Sequence, residues 1–227
     1  MTHILPLHPP AFARLPEAFY SRVSPEPLHT PYWVAQNHVL AAEIDMPLAD
    51  FNDDMLAYLS GSAAHYDPAP IASVYSGHQF GVYVRQLGDG RAMLLGESSD
   101  AQGRAWEWQL KGAGKTPYSR FADGRAVLRS SIREYLCSEA MHGLGIATTR
   151  ALALTGSHDA VYREEPETAA IVTRIAPSFI RFGHFEYLYH TGRHEQLAPL
   201  ADFLIARLFP ECRAAENPYF ALFQEIA

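Results

Sequence analysis

Apolar residues change rhythm along this chain, and each rhythm predicts a different kind of element. The first stretch keeps no rhythm, and ten of the 16 prolines fall among its first 70 residues. Proline lacks an amide donor and breaks regular ladders, so this stretch is expected to wrap over a core built elsewhere. Two short helices are predicted within it, over 38–44 behind Asn37 and over 52–59, the second closed by Gly61. From Gly81 onward the rhythm becomes alternating. Val82, Val84 and Leu87 precede Gly88-Asp89-Gly90, and Ala92, Leu94 and Leu95 follow, which predicts a β-hairpin. A third strand is predicted over 106–111, ended by Gly112-Ala113-Gly114. Leu128, Ile132, Leu136 and Ala140, flanked by Cys137, Met141 and Leu144, then mark a helix over 125–142. Asp123 is placed to cap that helix, and Gly143 and Gly145 end it. Strands over 151–154 and 169–175, joined by a charged hairpin at Glu164-Glu165-Pro166, lead into helices over 178–190, 197–208 and 217–227. No capping residue closes the last of these.

Strands, one helix, more strands and then only helices describe an α+β chain in which a small sheet lobe joins a helical lobe cut short. Three consecutive pieces are expected: a Pro-rich extension with short helices (1–75), a sheet lobe (76–177) and the start of a helical lobe (178–227).

Composition removes several functions. A net charge of -7 argues against nucleic acid as the main partner, because such binders carry a basic stripe. No apolar run approaches the length of a membrane span, and the first ten residues lack the basic flank and apolar core of a secretory signal. The two cysteines, Cys137 and Cys212, have no ligand-like spacing, and Cys137 on the apolar stripe reads as a buried thiol. These features point to the cytoplasm. Among the 18 basic residues only Lys111 and Lys115 are lysines. A lysine kept against so strong an arginine bias suggests a site that needs a compact ammonium on a flexible stem.

Individual motifs give weaker signals. Gly112-Ala113-Gly114-Lys115-Thr116 resembles the tail of a Walker phosphate loop, but position 109, where that loop needs its first glycine, is Gln. A glycine turn after a strand explains it better. Lys111 on a strand and Glu134 on the next helix have the placement of the ion pair that protein kinases use, in which Lys neutralises phosphate and Glu aims it. A solvated helix Glu paired with Arg129 or Arg133 would give the same pattern. Gly88-Asp89-Gly90-Arg91 can contact phosphate through backbone amides or be an ordinary hairpin turn. Asp123-Gly124-Arg125 can cap a helix or, with the helix amides, hold an anion. Arg174 on a strand and Arg181 just inside a helix flank Pro177 and can clamp a phosphate. His184, His190 and His194 straddle a break at Gly192 without a completing Cys or carboxylate, so they read as helix-surface histidines and no metal site is assigned to them. No hydrolase nucleophile elbow occurs.

Long blocks carry more weight: Tyr75-Ser-Gly-His-Gln-Phe-Gly81, Gln86-Leu-Gly-Asp-Gly-Arg91, the run from Gln109 to Glu134, and Thr173-Arg-Ile-Ala-Pro-Ser-Phe-Ile-Arg-Phe-Gly-His-Phe-Glu186. Together they resemble the selenoprotein O / YdiU family, from about Leu15 to the end. The resemblance implies a protein-kinase-like fold and transfer of AMP from ATP to Ser, Thr or Tyr hydroxyls of other proteins, with Mg²⁺ or Mn²⁺. Some members are reported to use UTP. It further implies a nucleotide reversed relative to kinases, with the γ-phosphate inward. The implied nucleotide contacts fall on Gly88, Gly90, Arg91, Lys111, Asp123, Gly124, Arg174 and Arg181, and Glu134 matches the helix carboxylate that pairs with the lysine. The family's catalytic Asp and its metal-binding Asn and Asp match no residue of this chain, so the chain alone is expected to be inactive. An ordinary kinase-like phosphotransferase and a non-catalytic nucleotide-binding fragment are the alternatives.

Overall fold

The computed structural model describes residues 7–226. Residues 1–6, which enter the reading of the N-terminus, and Ala227, at the end of the last expected helix, lie outside it. Strands follow in the order β1 (Tyr20–Arg22), β2 (Tyr32–Gln36), β3 (Ile71–Ser73), β4 (Gly77–Gln79), β5 (Val82–Val84), β6 (Ala92–Ser99), β7 (Ala105–Lys111), β8 (Ala126–Val127), β9 (Arg150–Tyr162) and β10 (Pro166–Ala176). The helices are α1 (His38–Glu43), α2 (Asp53–Leu59), α3 (Leu128–Gly143), α4 (Phe182–His190), α5 (Leu197–Leu208) and α6 (Pro218–Ile226). The chain divides into two compact units. One takes the described residues up to Ser73 together with Gly88–Phe179, and the other takes Val74–Leu87 and the described residues from Ile180 onward.

The first unit is built on an antiparallel sheet in the order β1-β3-β6-β7-β10-β9-β2, with β8 pairing β10. Side chains alternate across such a sheet. Trp108, Leu110, Leu152, Ile171 and Ile175 share one core with Leu40, Ala41, Met55 and Leu59 of α1 and α2. Each fully buried Leu or Ile there contributes about 1.5–3 kcal/mol. The Pro-rich segment thus supplies three strands to the sheet and two helices to the main core. Its helices start where side-chain oxygens replace missing backbone partners, since Asn37 accepts from the Leu40 amide and Asn52 from those of Asp54 and Met55. Beside Ala151, Leu154, Ala170 and Val172 pack Leu128 and Tyr135 of α3. Lys111 and Gln109, which alternate with Trp108 and Leu110, belong to that α3 side.

Several expectations are corrected. The hairpin expected across Gly88-Asp89-Gly90 does not form: β5 pairs with β4, and β6 pairs with β3 and β7. The nearer partner wins because Phe80 and Gly81, both at positive φ (53° and 76°), make the two-residue turn that hairpins favour. Helix α3 begins at Leu128 rather than 125, because Ala126 and Val127 are drawn into the sheet opposite Ala170 and Ala169. Asp123 therefore does not cap it, and the N-cap residue Val127 makes no side-chain cap. Beyond Leu128, the expected apolar stripe of α3 faces outward. Leu136 and Leu144 are 60% and 74% exposed, and Cys137 is exposed, not buried. The inward positions are taken by Ser131, Tyr135 and polar groups that bond to the sheet: Glu139 accepts from Arg150, and Ser138 donates to the Thr149 carbonyl. Residues 178–181 precede α4, so Arg181 stands at its N-cap in extended backbone rather than inside it.

The second unit holds the β4–β5 hairpin and α4, α5 and α6, with a small core of Ala201, Leu204, Ile205, Cys212 and Leu222. His184, expected on the helix surface, is fully buried there, while His190 and His194 are exposed. Among the described residues no helix is long and apolar enough to cross a membrane.

Candidate nucleotide site

Lys111 ends β7, and the β7–β10 register sets Gln109 opposite Arg174 and Lys111 opposite Val172. Period-two alternation along two neighbouring strands therefore brings both cations to the face that α3 covers. From α3, Glu134 meets them both. Its Oε2 lies 2.6 Å from Lys111 Nζ and its Oε1 lies 3.4 Å from Arg174 Nε. Arg174 has further partners: Nη1 donates to Gln109 Oε1 (2.9 Å) and Nη2 to Thr149 Oγ1 (3.0 Å), while the guanidinium lies over the Phe179 ring. Two cations share one carboxylate. Burial lowers the Lys111 pKa from its usual value; Glu134 opposes the shift, and the charges of Arg174 and Arg91 add to it. Burial is the largest cause of that shift, so the charge balance follows from the contacts instead: two cations on one carboxylate leave positive charge in surplus, which an anionic ligand would relieve. Lys115 makes no ion pair among the described residues, and its backbone amide donates to Glu26.

Three turns are tied to this cluster by backbone hydrogen bonds. The Gly112 amide donates to the Arg91 carbonyl (2.7 Å), and the Gly114 amide to the Gly124 carbonyl (3.1 Å). Asp89, buried between the two glycines of its turn, accepts from the Ser73 amide and hydroxyl. The amides of Asp89 and Gly90 donate to the carbonyls of Ser73 and Gly88. Those two amides are already used, so the glycines here serve close packing. A Cβ on Gly88 would lie 2.6 Å from the Tyr118 ring. The Arg91 side chain, by contrast, is exposed and unpaired among the described residues. At the third turn, Gly124 has φ +73°, and a Cβ there would lie 2.1 Å from the Gly114 carbonyl carbon. Only glycine fits that crossing. Asp123 accepts from both Arg163 Nη atoms (2.6 and 3.0 Å) and from the Arg125 amide. Hydrogen bonding to Arg163 is the main reason its pKa is lowered.

Gly88, Gly90, Arg91, Lys111, Asp123, Gly124 and Arg174 thus belong to one unit, whereas Arg181 belongs to the other. There the Arg181 guanidinium lies 4.5 Å from the centroid of the Tyr75 ring. Reading the residues one by one missed four partners: Gln109 and Thr149 on Arg174, Arg163 on Asp123, and Tyr75 under Arg181. Gln109 alone left a signal, two positions before Lys111 on the same strand face. Among the described residues no group of three or more His, Cys, Asp or Glu could hold a metal ion.

The family described as protein adenylyltransferase SelO matches residues 4–227. The chain belongs to the SelO family. It is 52% identical over 217 residues to the protein nucleotidyltransferase YdiU of Thiobacillus denitrificans, covering 95% of this chain and 44% of that one. It is 57% identical over 219 residues to the YdiU of Paraburkholderia xenovorans (95% and 42%) and 54% identical over 223 residues to that of Dechloromonas aromatica (98% and 44%). The chain spans less than half the length of these relatives. Their names make the SelO family one of nucleotidyltransferases, and the Lys111–Glu134–Arg174 cluster lies within the matched region.

Proposed function

We propose that this chain is the nucleotide-binding part of a protein-kinase-like nucleotidyltransferase that moves AMP from ATP to Ser, Thr or Tyr hydroxyls of proteins in the cytoplasm. The observation that carries the reading is the sharing of one carboxylate, Glu134, by Lys111 and Arg174 on a single sheet face. The charge of Arg91 also bears on Lys111, adding to the positive charge at the cluster. A polyphosphate supplies the missing negative charge.

In the proposed reaction an acceptor hydroxyl oxygen bonds to the α-phosphorus, and the bond from that phosphorus to the bridging oxygen of the β-phosphate breaks. The hydroxyl proton is lost and pyrophosphate leaves. Lys111, Arg174 and Arg91 hold and neutralise the polyphosphate, and the Gly88–Gly90 and Asp123–Gly124 turns shape its bed. Arg181 is a further phosphate-binding cation. Because these groups address phosphates rather than the base, they would serve UTP and UMP transfer equally. Mg²⁺ or Mn²⁺ is the metal that the resemblance implies, and its ligands are not assigned to this chain.

The test has two stages. ATP binding by this chain should be measured by calorimetry beside Lys111→Met, which should weaken it at least about tenfold if a charge-assisted phosphate contact worth about 1.5–3 kcal/mol is lost. Equal affinities would remove the site. A protein of the relatives' full length, carrying these residues, should then be given acceptor protein and ATP labelled at the α- or the γ-phosphate. Label from the α-position on the acceptor supports nucleotidyl transfer, and label from the γ-position alone would make the protein a kinase.

A further inference from the structure

The block Tyr75-Ser-Gly-His-Gln-Phe-Gly81 contains none of the proposed nucleotide contacts, yet the structure builds it against the start of α4. The Ser76 amide donates to the Gly183 carbonyl (2.8 Å), and the Leu87 amide donates to the Tyr75 carbonyl (2.8 Å). The approach at Gly183 is so close that a Cβ there would stand 1.9 Å from the Ser76 carbonyl oxygen. This places the Tyr75 ring, itself 8% exposed, between two other groups. Arg181 lies over it at 4.5 Å, and the His184 ring lies 5.2 Å from it. His184 is fully buried, its Nδ1 accepts from the Arg181 amide (3.1 Å), and its own amide donates to the Arg181 carbonyl (3.0 Å). Burial holds this imidazole neutral, as an acceptor must be. Arg181 is therefore fixed twice, through its backbone by His184 and through its guanidinium by Tyr75.

Stacking fixes the plane of a guanidinium without spending its donors, because the ring engages the π-face while the N–H groups point outward from the edge. Arg181 is exposed and, among the described residues, its guanidinium makes no ion pair and donates no side-chain hydrogen bond. Arg174 differs, with Gln109, Thr149 and Glu134 already on its guanidinium.

We propose that Tyr75 is a positioning residue that holds the Arg181 guanidinium ready for the phosphates of a nucleoside triphosphate, with His184 anchoring the backbone from which Arg181 projects. The proposal rests on the nucleotide-binding reading above and assigns the Tyr75–Gly81 block its role in it. A flexible arginine must be immobilised when it binds a ligand, and a ring that has already ordered it removes part of that cost.

The experiment is a double-mutant cycle on ATP affinity, with Tyr75→Phe, Tyr75→Met, Arg181→Ala and Tyr75→Met/Arg181→Ala. Tyr75→Phe keeps the ring and should bind as the parent does. Tyr75→Met keeps bulk but removes the π-face and should weaken binding about threefold to tenfold, in line with a cation–π contact at a partly exposed site. In the Arg181→Ala background the same change should do nothing further. An equal loss in both backgrounds, or none in either, would show Tyr75 to be a packing residue and overturn the proposal. If Arg181→Ala itself leaves ATP affinity unchanged, the nucleotide role of Arg181 fails first. A second measurement needs no variant: NMR relaxation of the Arg181 Nε–H in the unliganded chain. It should report an ordered side chain, and mobility equal to that of the exposed Arg133 would refute the positioning role whatever the affinities.

Discussion

Lys111 stands beside the carboxylate expected to hold it, and its identity matters more than its charge. An ammonium 2.6 Å from Glu134 leaves room for Arg174 on the other oxygen of the same carboxylate. A guanidinium at position 111 would need a wider, planar seat and would displace Arg174. Lys111→Arg should thus lose ATP affinity nearly as far as Lys111→Met, about tenfold or more; calorimetric affinities close to the parent's would show that only charge counts. His184 offers a test through pH. Its pKa is pushed down from 6.5 to about 3, chiefly by burial, so between those values the unfolded chain carries a proton on this ring that the folded chain does not. Stability then rises with pH across that window and is lost on acidification, by up to about 1.4 kcal/mol per pH unit. Asp123 and Glu139, held below their ordinary values, lose stability in the same direction at the acid end. The discriminating result is a flatter dependence between pH 6.5 and 5 in denaturant melts of His184→Gln. An unchanged slope would mean that the ring is not buried neutral.

At the scale of elements, α3 shows where the sequence was legible and where it was not. Its existence and approximate span were visible in the spacing of Leu128, Ile132, Leu136 and Ala140. Its buried face was not, because periodicity assumes that apolar residues choose the face, whereas here Ser138, Glu139 and Glu134 bond inward to the Thr149 carbonyl, Arg150 and Lys111. A polar contact spanning many residues leaves no local trace. The pairing of β5 was hidden for a related reason, since alternation marks a strand but does not say which neighbour it takes. Lys111 with Glu134 was legible because a strand lysine followed by a helix glutamate is itself a recognisable pair. The outward face of α3 is testable: Leu136→Gln should change stability by no more than about 0.5 kcal/mol, while Tyr135→Ala should cost about 2 kcal/mol or more. A large loss at Leu136 in thermal melts would restore the orientation expected from periodicity. Glycines give a sharper contrast. Gly124→Ala meets backbone at 2.1 Å, whereas Gly145→Ala, also at positive φ (+77°), meets nothing within 4 Å. The second should cost only the left-handed strain of about 1–2 kcal/mol, and the first should distort the Asp123–Gly124 turn and lower ATP affinity as well.

For the whole molecule, three consecutive pieces were expected, but the compact units are discontinuous in sequence, with Val74–Leu87 leaving the first unit to join the helices after Phe179. Composition could not show this, because the decisive links are single backbone bonds such as Ser76 to Gly183 and Asp89 to Ser73. The cores also differ in kind. The first unit buries Trp108, Leu110, Leu152, Leu59 and many others under a continuous antiparallel sheet, whereas the helices of the second enclose Ala201, Leu204, Ile205, Cys212 and Leu222 and leave Phe220 and Phe223 more than half exposed. Regions with little buried apolar surface open at lower free energy, so the two units should not share one opening reaction. In hydrogen exchange followed by mass spectrometry, peptides from α5 and α6 should exchange well before those from β7, β9 and β10. ATP should then slow exchange most where three turns are tied to the Lys111 strand, in peptides covering 88–91, 111–114 and 123–125. Uniform exchange across α6 and β10 would make the chain a single cooperative body. Protection by ATP confined to other peptides would move the nucleotide away from Lys111, Glu134 and Arg174, and with it the basis for reading this chain as the nucleotide-binding part of a transferase.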